Sequence, residues 1–161
     1  MAVVDEFLKA NARYAAEFTK GHLPMPPARK VAVVACMDAR LDPARVLGLE
    51  EGDAHVIRNA GGRAADALRS LIISQQLLGT REVVVVHHTD CGMLTFSDAD
   101  LRGKLKAELG QEADFPFLSF SDLEQSVRED VAALQTSPFL LRVPVRGFLY
   151  DVKTGRLAEV A

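Results

Sequence analysis

Residues 31–40 read "VAVVACMDAR", an unbroken run of small and β-branched apolar residues that ends in a cluster of reactive side chains. A continuous apolar run of this length is typical of a strand covered on both faces. A buried strand usually ends at Gly, Asn or Pro, whereas this one ends in the thiol of Cys36, followed by Asp38 and Arg40. The stretch therefore predicts a parallel-type strand over 31–36 with a functional site at its carboxyl end.

A second stretch, "REVVVVHHTDC" at 81–91, repeats this arrangement, with His87, His88 and Cys91 following the apolar run. Between the two lie a short strand at 54–58 and a helix over 63–78 that ends at Gly79. Strand–helix–strand alternation predicts an α/β fold with a central, mostly parallel sheet of about four strands flanked by helices.

The flanking segments complete this prediction. Apolar spacing near the N-terminus indicates an amphipathic helix of about four turns in a helical arm covering about 1–24. Two further helices are expected at 98–109 and 121–135, with Asp98 and Ser121 as N-caps. At the end of the chain, "DVKTGR" between "GFLY" and "LAEV" predicts a C-terminal antiparallel edge hairpin.

Length and composition exclude several classes of protein. The 161 residues are expected to form one domain, 1–161, and the net charge of −3 argues against a nucleic-acid or membrane partner. Asp5, Glu6 and Lys9 interrupt what would have to be the apolar core of a signal peptide. We therefore expect a cytoplasmic protein.

The two cysteines, Cys36 and Cys91, allow four interpretations: a disulfide, a redox pair, packed core residues or metal ligands. A disulfide suits a secreted protein, and because no export signal is expected, reduced thiols are the better expectation. A redox pair is normally a local Cys-X-X-Cys, which is absent here. A single Cys or His at a strand end is most often a packed core residue. However, the carboxyl ends of neighbouring parallel strands meet in one crevice, where two thiols and an imidazole match a Cys₂His zinc site.

At this point the sequence resembles the β-class carbonic anhydrases, in particular their compact prokaryotic branch, over about residues 25–155. "CMDAR" fits the family motif Cys-X-Asp-X-Arg, "HTDC" fits His-X-X-Cys, and "NAGG" lies between them. The resemblance implies one Zn²⁺ per chain, held by Cys36, His88 and Cys91. His87 is the alternative ligand, but successive strand residues face opposite ways, so the other histidine is expected to pack or hydrogen-bond under the sheet.

The resemblance also implies a catalytic dyad and a reaction. Asp38 would attend the fourth zinc position, and Arg40 would hold the carboxylate off the metal. The implied reaction is attack of zinc-bound hydroxide on carbon dioxide, giving bicarbonate and a proton. If Asp38 left Arg40 and took the fourth position, the site would be closed. Alternation along the stretch predicts that Met37 and Ala39 face the other way and serve packing.

The residues that would bind the substrate are predicted from the turn between the two motifs. "NAGGR" lacks a Walker lysine and G-X-G-X-X-G spacing, so the sequence does not predict a nucleotide site. Asn59, Gly61 and Gly62 are the candidate substrate-binding residues, with the glycines letting the backbone pass close to the crevice. Aromatic side chains are candidates for the pocket or for the homodimer interface that the resemblance implies, although ordinary core packing explains them equally well: Phe96, Phe115, Phe117 and Phe120.

Two other functions remain open. Carbonyl sulfide and carbon disulfide hydrolases are similar to β-carbonic anhydrases and carry the same ligands. A non-catalytic zinc or bicarbonate-binding module is the other alternative, but a purely structural zinc site would use four protein ligands.

Overall fold

The computed structural model describes residues 2–161, which form five strands, five α-helices and two short 3₁₀ turns. The strands are β1 (Val31–Cys36), β2 (Ala54–Asn59), β3 (Glu82–His88), β4 (Val145–Tyr150) and β5 (Leu157–Glu159). The helices are α1 (Val3–Ala16), α2 (Pro43–Leu47), α3 (Ala64–Leu78), α4 (Asp98–Leu109) and α5 (Leu123–Thr136), and the 3₁₀ turns are Ala60–Gly62 and Gly92–Leu94.

The strands form one sheet in the order β2-β1-β3-β4-β5. Neighbouring strands among the first four are parallel, and β5 alone runs antiparallel to β4. The predicted mostly parallel α/β sheet is confirmed. It has five strands, where about four are expected, because β4 joins the parallel sheet beside β3. The predicted C-terminal antiparallel edge hairpin is confirmed as the pair β4–β5.

The sheet is covered on both faces, which explains the unbroken apolar runs of β1 and β3. On one face, Val34 and Val85 pack against Leu71 of α3 and Val127 of α5. On the other face, the second cluster contains Val33, Ala35, Cys36, Leu41, Val86, Cys91 and Met93. Both candidate cysteines therefore belong to the second cluster, at the carboxyl ends of β1 and β3.

Two predicted helix caps are wrong by one residue. The N-cap of α4 is Ser97, whose hydroxyl accepts from the Asp100 amide while the Asp100 carboxylate accepts from the Ser97 amide. Asp98 instead turns its carboxylate to the loop at 117–119. The N-cap of α5 is Asp122 rather than Ser121, and its carboxylate accepts from the Gln125 amide.

The helix of the predicted N-terminal arm, α1, has no buried residue, and its apolar side chains Phe7 and Leu8 are exposed. A lone helix of 14 residues is marginal in water, and its stability in proteins comes from packing of the apolar face. The helix is tied to the body of the protein near its C-terminal end, where the Tyr14 hydroxyl donates to Glu51.

Among residues 2–161, none of the helices combines the length and the apolar character needed to cross a membrane.

Candidate metal centre

Three buried side chains converge where β1 and β3 end. Cys36 is the last residue of β1, His88 is the last of β3, and Cys91 follows after a tight turn. The strands are hydrogen-bonded neighbours, so their ends meet at the same edge of the sheet. The two sulfur atoms and a ring nitrogen of His88 all lie within 4.8 Å of one another.

The hydrogen bonding of His88 leaves one of its two ring nitrogens free to bind a further partner. Its Nδ1 lies 2.7 Å from the backbone oxygen of Thr89, which can only accept, so Nδ1 carries the proton and Nε2 the lone pair. Within the described part of the chain, the buried Nε2 atom has no hydrogen-bond partner. A backbone carbonyl that orients one nitrogen and leaves the other free is the usual arrangement around a metal-bound histidine.

His87 lies on the opposite face of the sheet, as strand alternation predicts. Its Nδ1 is 2.8 Å from the Ser126 hydroxyl, and its Nε2 is 3.1 Å from a carboxylate oxygen of Asp130. Asp130 also accepts from the first amide of α3, at Ala64, and pairs with Arg63. These contacts hold His87 against α5, on the face of the sheet opposite to the two cysteines.

The two thiols are coupled. The proximity of the two sulfur atoms lowers the pKa of the Cys36 thiol and raises the pKa of the Cys91 thiol. A soft cation bound between them would meet two sulfur ligands and one imidazole, the donor set that favours Zn²⁺ over Mg²⁺ or Ca²⁺. The residues present fit the zinc that the sequence implied.

Beside this cluster, Asp38 and Arg40 form a bidentate pair. Arg40 Nε donates to Asp38 Oδ1 at 3.0 Å and Nη2 donates to Oδ2 at 2.8 Å, while the Arg40 amide also donates to Oδ1. These bonds hold the pKa of the Asp38 carboxyl well below its usual range. Asp38 Oδ2 lies 3.7 Å from His88 Nε2, so the carboxylate borders the ligand cluster.

The expectation that Met37 and Ala39 serve packing is wrong. Both residues are exposed, and Met37 has 64% of its surface accessible. The reason is that β1 ends at Cys36 and the chain turns, so the alternation of a strand does not continue through residues 37–40.

Two further residues organise this site, and no motif in the sequence singles them out. Arg58, on β2, donates to the backbone oxygens of Cys36, Asp38 and Leu41 and so fastens the loop that carries the dyad. Asp90 accepts from Arg40 through both its carboxylate and its backbone oxygen. The only sequence signal for Asp90 is its place between His88 and Cys91.

The "NAGGR" residues surround the site in different ways. The Asn59 side chain accepts from the Arg63 amide and donates to the Arg63 carbonyl, so it holds the turn. Gly62 has φ +66°, and a Cβ there would lie 2.8 Å from the backbone nitrogen of Cys36. Gly61 lines the cavity beside the cysteines.

That cavity, of about 430 Å³, contains the two cysteines and Asp38, with Met37, Met93 and Phe96 on its apolar side. Among the predicted aromatic candidates, only Phe96 lines it. Phe120 stacks on the ring of His87 at 5.5 Å, and Phe115 and Phe117 pack against each other at 5.4 Å. The site thus combines a sulfur-rich cluster, an ionised carboxylate and an apolar wall.

Comparison with known proteins agrees with this geometry. The carbonic anhydrase family profile matches residues 31–115. The chain is 50% identical to β-carbonic anhydrase 1 of Mycobacterium tuberculosis strain H37Rv over 99% of both chains. It is 33% identical to a carbon disulfide hydrolase of Acidianus, covering 97% of this chain and 88% of that one. A solved carbonic anhydrase structure from Streptococcus mutans superposes with a TM-score of 0.94 at 51% identity, covering 100% of this chain and 99% of that one. The chain belongs to the β-class carbonic anhydrase family.

Proposed function

We propose that this protein catalyses the reversible hydration of carbon dioxide to bicarbonate and a proton, with one Zn²⁺ per chain. The observation that carries this proposal is the buried cluster of Cys36, His88 and Cys91 beside the Asp38–Arg40 pair, in a chain of this family.

Cys36, His88 and Cys91 are the proposed zinc ligands. Bound zinc would supply a Lewis acid that makes water acidic enough to yield a nucleophile near neutral pH. Three protein ligands leave one position for water, as in catalytic sites, whereas a structural zinc is closed by four. The free lone pair on His88 Nε2 and the convergence of the two sulfur atoms on it support this assignment.

Asp38 and Arg40 are the proposed catalytic dyad. Ionised Asp38 can only accept hydrogen bonds, so it accepts one from the attacking water and orients the water lone pair toward the carbon of the substrate. Arg40 donates two hydrogen bonds to the Asp38 carboxylate from the other side and keeps it charged.

Carbon dioxide is small and apolar, and the wall formed by Met37, Met93 and Phe96 offers it a matching surface. Gly61 contributes bare backbone to the same cavity. Asn59 acts on the substrate side indirectly, by holding the turn that places Gly61. Gly62 does so by letting the backbone of this turn pass close to Cys36.

We further propose a single domain, 1–161, whose N-terminal arm of about 1–24 packs against a second copy of the chain in a homodimer or higher homo-oligomer. The exposed apolar residues of α1 support this, because the helix otherwise leaves them in water. The two cysteines are free, which supports a reducing, cytoplasmic location.

Carbon disulfide is the second candidate substrate, favoured by the 33% identity to the Acidianus hydrolase. One zinc-loaded sample should therefore be assayed for hydration of carbon dioxide and for hydrolysis of carbonyl sulfide and carbon disulfide. We expect turnover of carbon dioxide to dominate. Dominant hydrolysis of either sulfur compound would identify a hydrolase on the same scaffold, and no turnover of any of the three would identify a non-catalytic binding module.

A further inference from the structure

Asp90 has an unusual backbone conformation beside the site. Its φ is +53°, in the left-handed region that residues other than glycine adopt only occasionally. In this conformation its carboxylate and its backbone oxygen both accept from the same guanidinium. Arg40 Nη1 donates to the Asp90 carboxylate at 2.8 Å, and Arg40 Nη2 donates to the Asp90 backbone oxygen at 3.0 Å.

Nε and Nη2 of Arg40 donate to Asp38, so one guanidinium joins two acidic residues from different loops. Asp38 belongs to the loop that follows Cys36, and Asp90 lies between His88 and Cys91. The chain Asp38–Arg40–Asp90 therefore connects the two segments that carry the candidate ligands. A long arginine side chain has many rotamers. Hydrogen bonds from the guanidinium to both Asp38 and Asp90 restrict Arg40 to the rotamer that contacts Asp38.

We propose that Asp90 is a positioning residue, which holds Arg40 on Asp38 and thereby keeps the Asp38 carboxylate off the metal. The proposal rests on the zinc site proposed above. Asp38 Oδ2 is 3.7 Å from His88 Nε2, so the carboxylate already borders the ligand cluster. A bound cation attracts the same oxygen that Arg40 holds, and weaker anchoring of Arg40 shifts this competition toward the metal.

Asp90→Gly tests this role without adding strain, because glycine adopts φ +53° freely. Asp90→Asn keeps an oxygen acceptor and tolerates the same conformation but removes the charge. Glu108→Gln, on the exposed face of α4, is the control for loss of one negative charge. Each variant is loaded with Co²⁺, and azide is titrated while the visible absorption of the metal is recorded.

We expect the wild type and Glu108→Gln to bind azide equally. In Asp90→Gly the affinity should fall roughly fivefold, the effect of losing an exposed ion pair, with a smaller loss in Asp90→Asn. The same variants in an Asp38→Ala background give the decisive comparison. With no carboxylate left to compete for the metal, Asp90→Gly should not change azide affinity there.

Three results would overturn the proposal: unchanged affinity in Asp90→Gly, an equal loss in both backgrounds, or a wild type that binds Co²⁺ but not azide. An equal loss in both backgrounds would mean that Asp90 serves only the fold of the loop. Because azide titration does not depend on turnover, a wild type that failed to hydrate carbon dioxide would refute the proposed function separately.

Discussion

The Asp38 carboxylate accepts both hydrogen bonds of a bidentate pair from Arg40, at 3.0 Å and 2.8 Å, while one of its oxygens lies 3.7 Å from His88 Nε2. Asp38 therefore lies between a cation of the protein and the place proposed for a metal cation. How the carboxylate is shared between them determines whether it orients water or blocks the site.

Replacing Arg40 tests this balance. Arg40→Gln should lower kcat by roughly 100-fold at equal zinc content, because a freed carboxylate no longer orients the attacking water. Arg40→Lys should lose less activity, since it keeps the charge but not the planar fork. Activity per bound zinc, from stopped-flow assays and elemental analysis of the same samples, is the measurement. Full activity in Arg40→Gln would remove the pair from the mechanism.

The adjacent histidines provide a matched pair for the ligand assignment. His88→Gln should lose most of the bound zinc, because the structure places only this imidazole with the cysteines. His87→Gln should keep its zinc while losing stability, because it disturbs the buried contacts to Ser126 and Asp130. Zinc per chain by elemental analysis separates the two, and the reverse pattern would exchange their roles.

Gly62 should be the least replaceable glycine near the site. Gly62→Ala places a Cβ 2.8 Å from the Cys36 backbone nitrogen and 3.0 Å from the Val86 oxygen, and neither atom can move without distorting the sheet. We expect a loss of roughly 3 kcal/mol in the free energy of unfolding. Gly79→Ala is the control, because Gly79 has a similar φ of +79° but open space around it. It should lose only about 1 kcal/mol, and equal losses in a urea titration would refute the steric argument.

The hydrogen bonds of Asp98 predict that the free energy of unfolding decreases at acid pH. Its carboxylate accepts from the Ser119 hydroxyl and from the amides of residues 117–119, and these bonds, led by that from Ser119, lower the pKa of Asp98 to about 2. Because the folded pKa lies below the unfolded value of about 3.9, the stabilisation is complete above pH 4 and disappears as the pH falls toward 2.

Asp98→Asn should therefore be less stable than the wild type at pH 7, and the difference should shrink between pH 4 and 2. Urea midpoints measured across this range give the comparison. Asp114→Asn, which removes a carboxylate that accepts none of these bonds, should show no such convergence. A pH-independent difference for Asp98→Asn would contradict the assignment.

The ends of β1 and β3 were predictable because both strands are continuous apolar runs and both are followed at once by chemically reactive residues. The sequence does not indicate that β4 joins the parallel sheet, since Arg146 and Gly147 interrupt its apolar pattern. Its place beside β3 depends on packing, as the missing side chain of Gly147 leaves room for Val127 and Val131 of α5.

In the site, strand alternation separated His88 from His87, but it failed beyond the end of β1, where Met37 is exposed. The roles of Arg58 and Asp90 could not be read from the sequence. Arg58 contacts backbone oxygens, which every residue has, and Asp90 meets a guanidinium 50 residues away through a left-handed turn.

The most direct test of the account is stopped-flow carbon dioxide hydration by the wild type and Asp38→Ala at equal, measured zinc content. We predict rapid hydration by the wild type and a loss of at least about 100-fold in Asp38→Ala, because the variant keeps its three ligands but lacks the acceptor that orients the water. A zinc-loaded wild type that does not hydrate carbon dioxide, or an Asp38→Ala variant that matches it, would contradict the account.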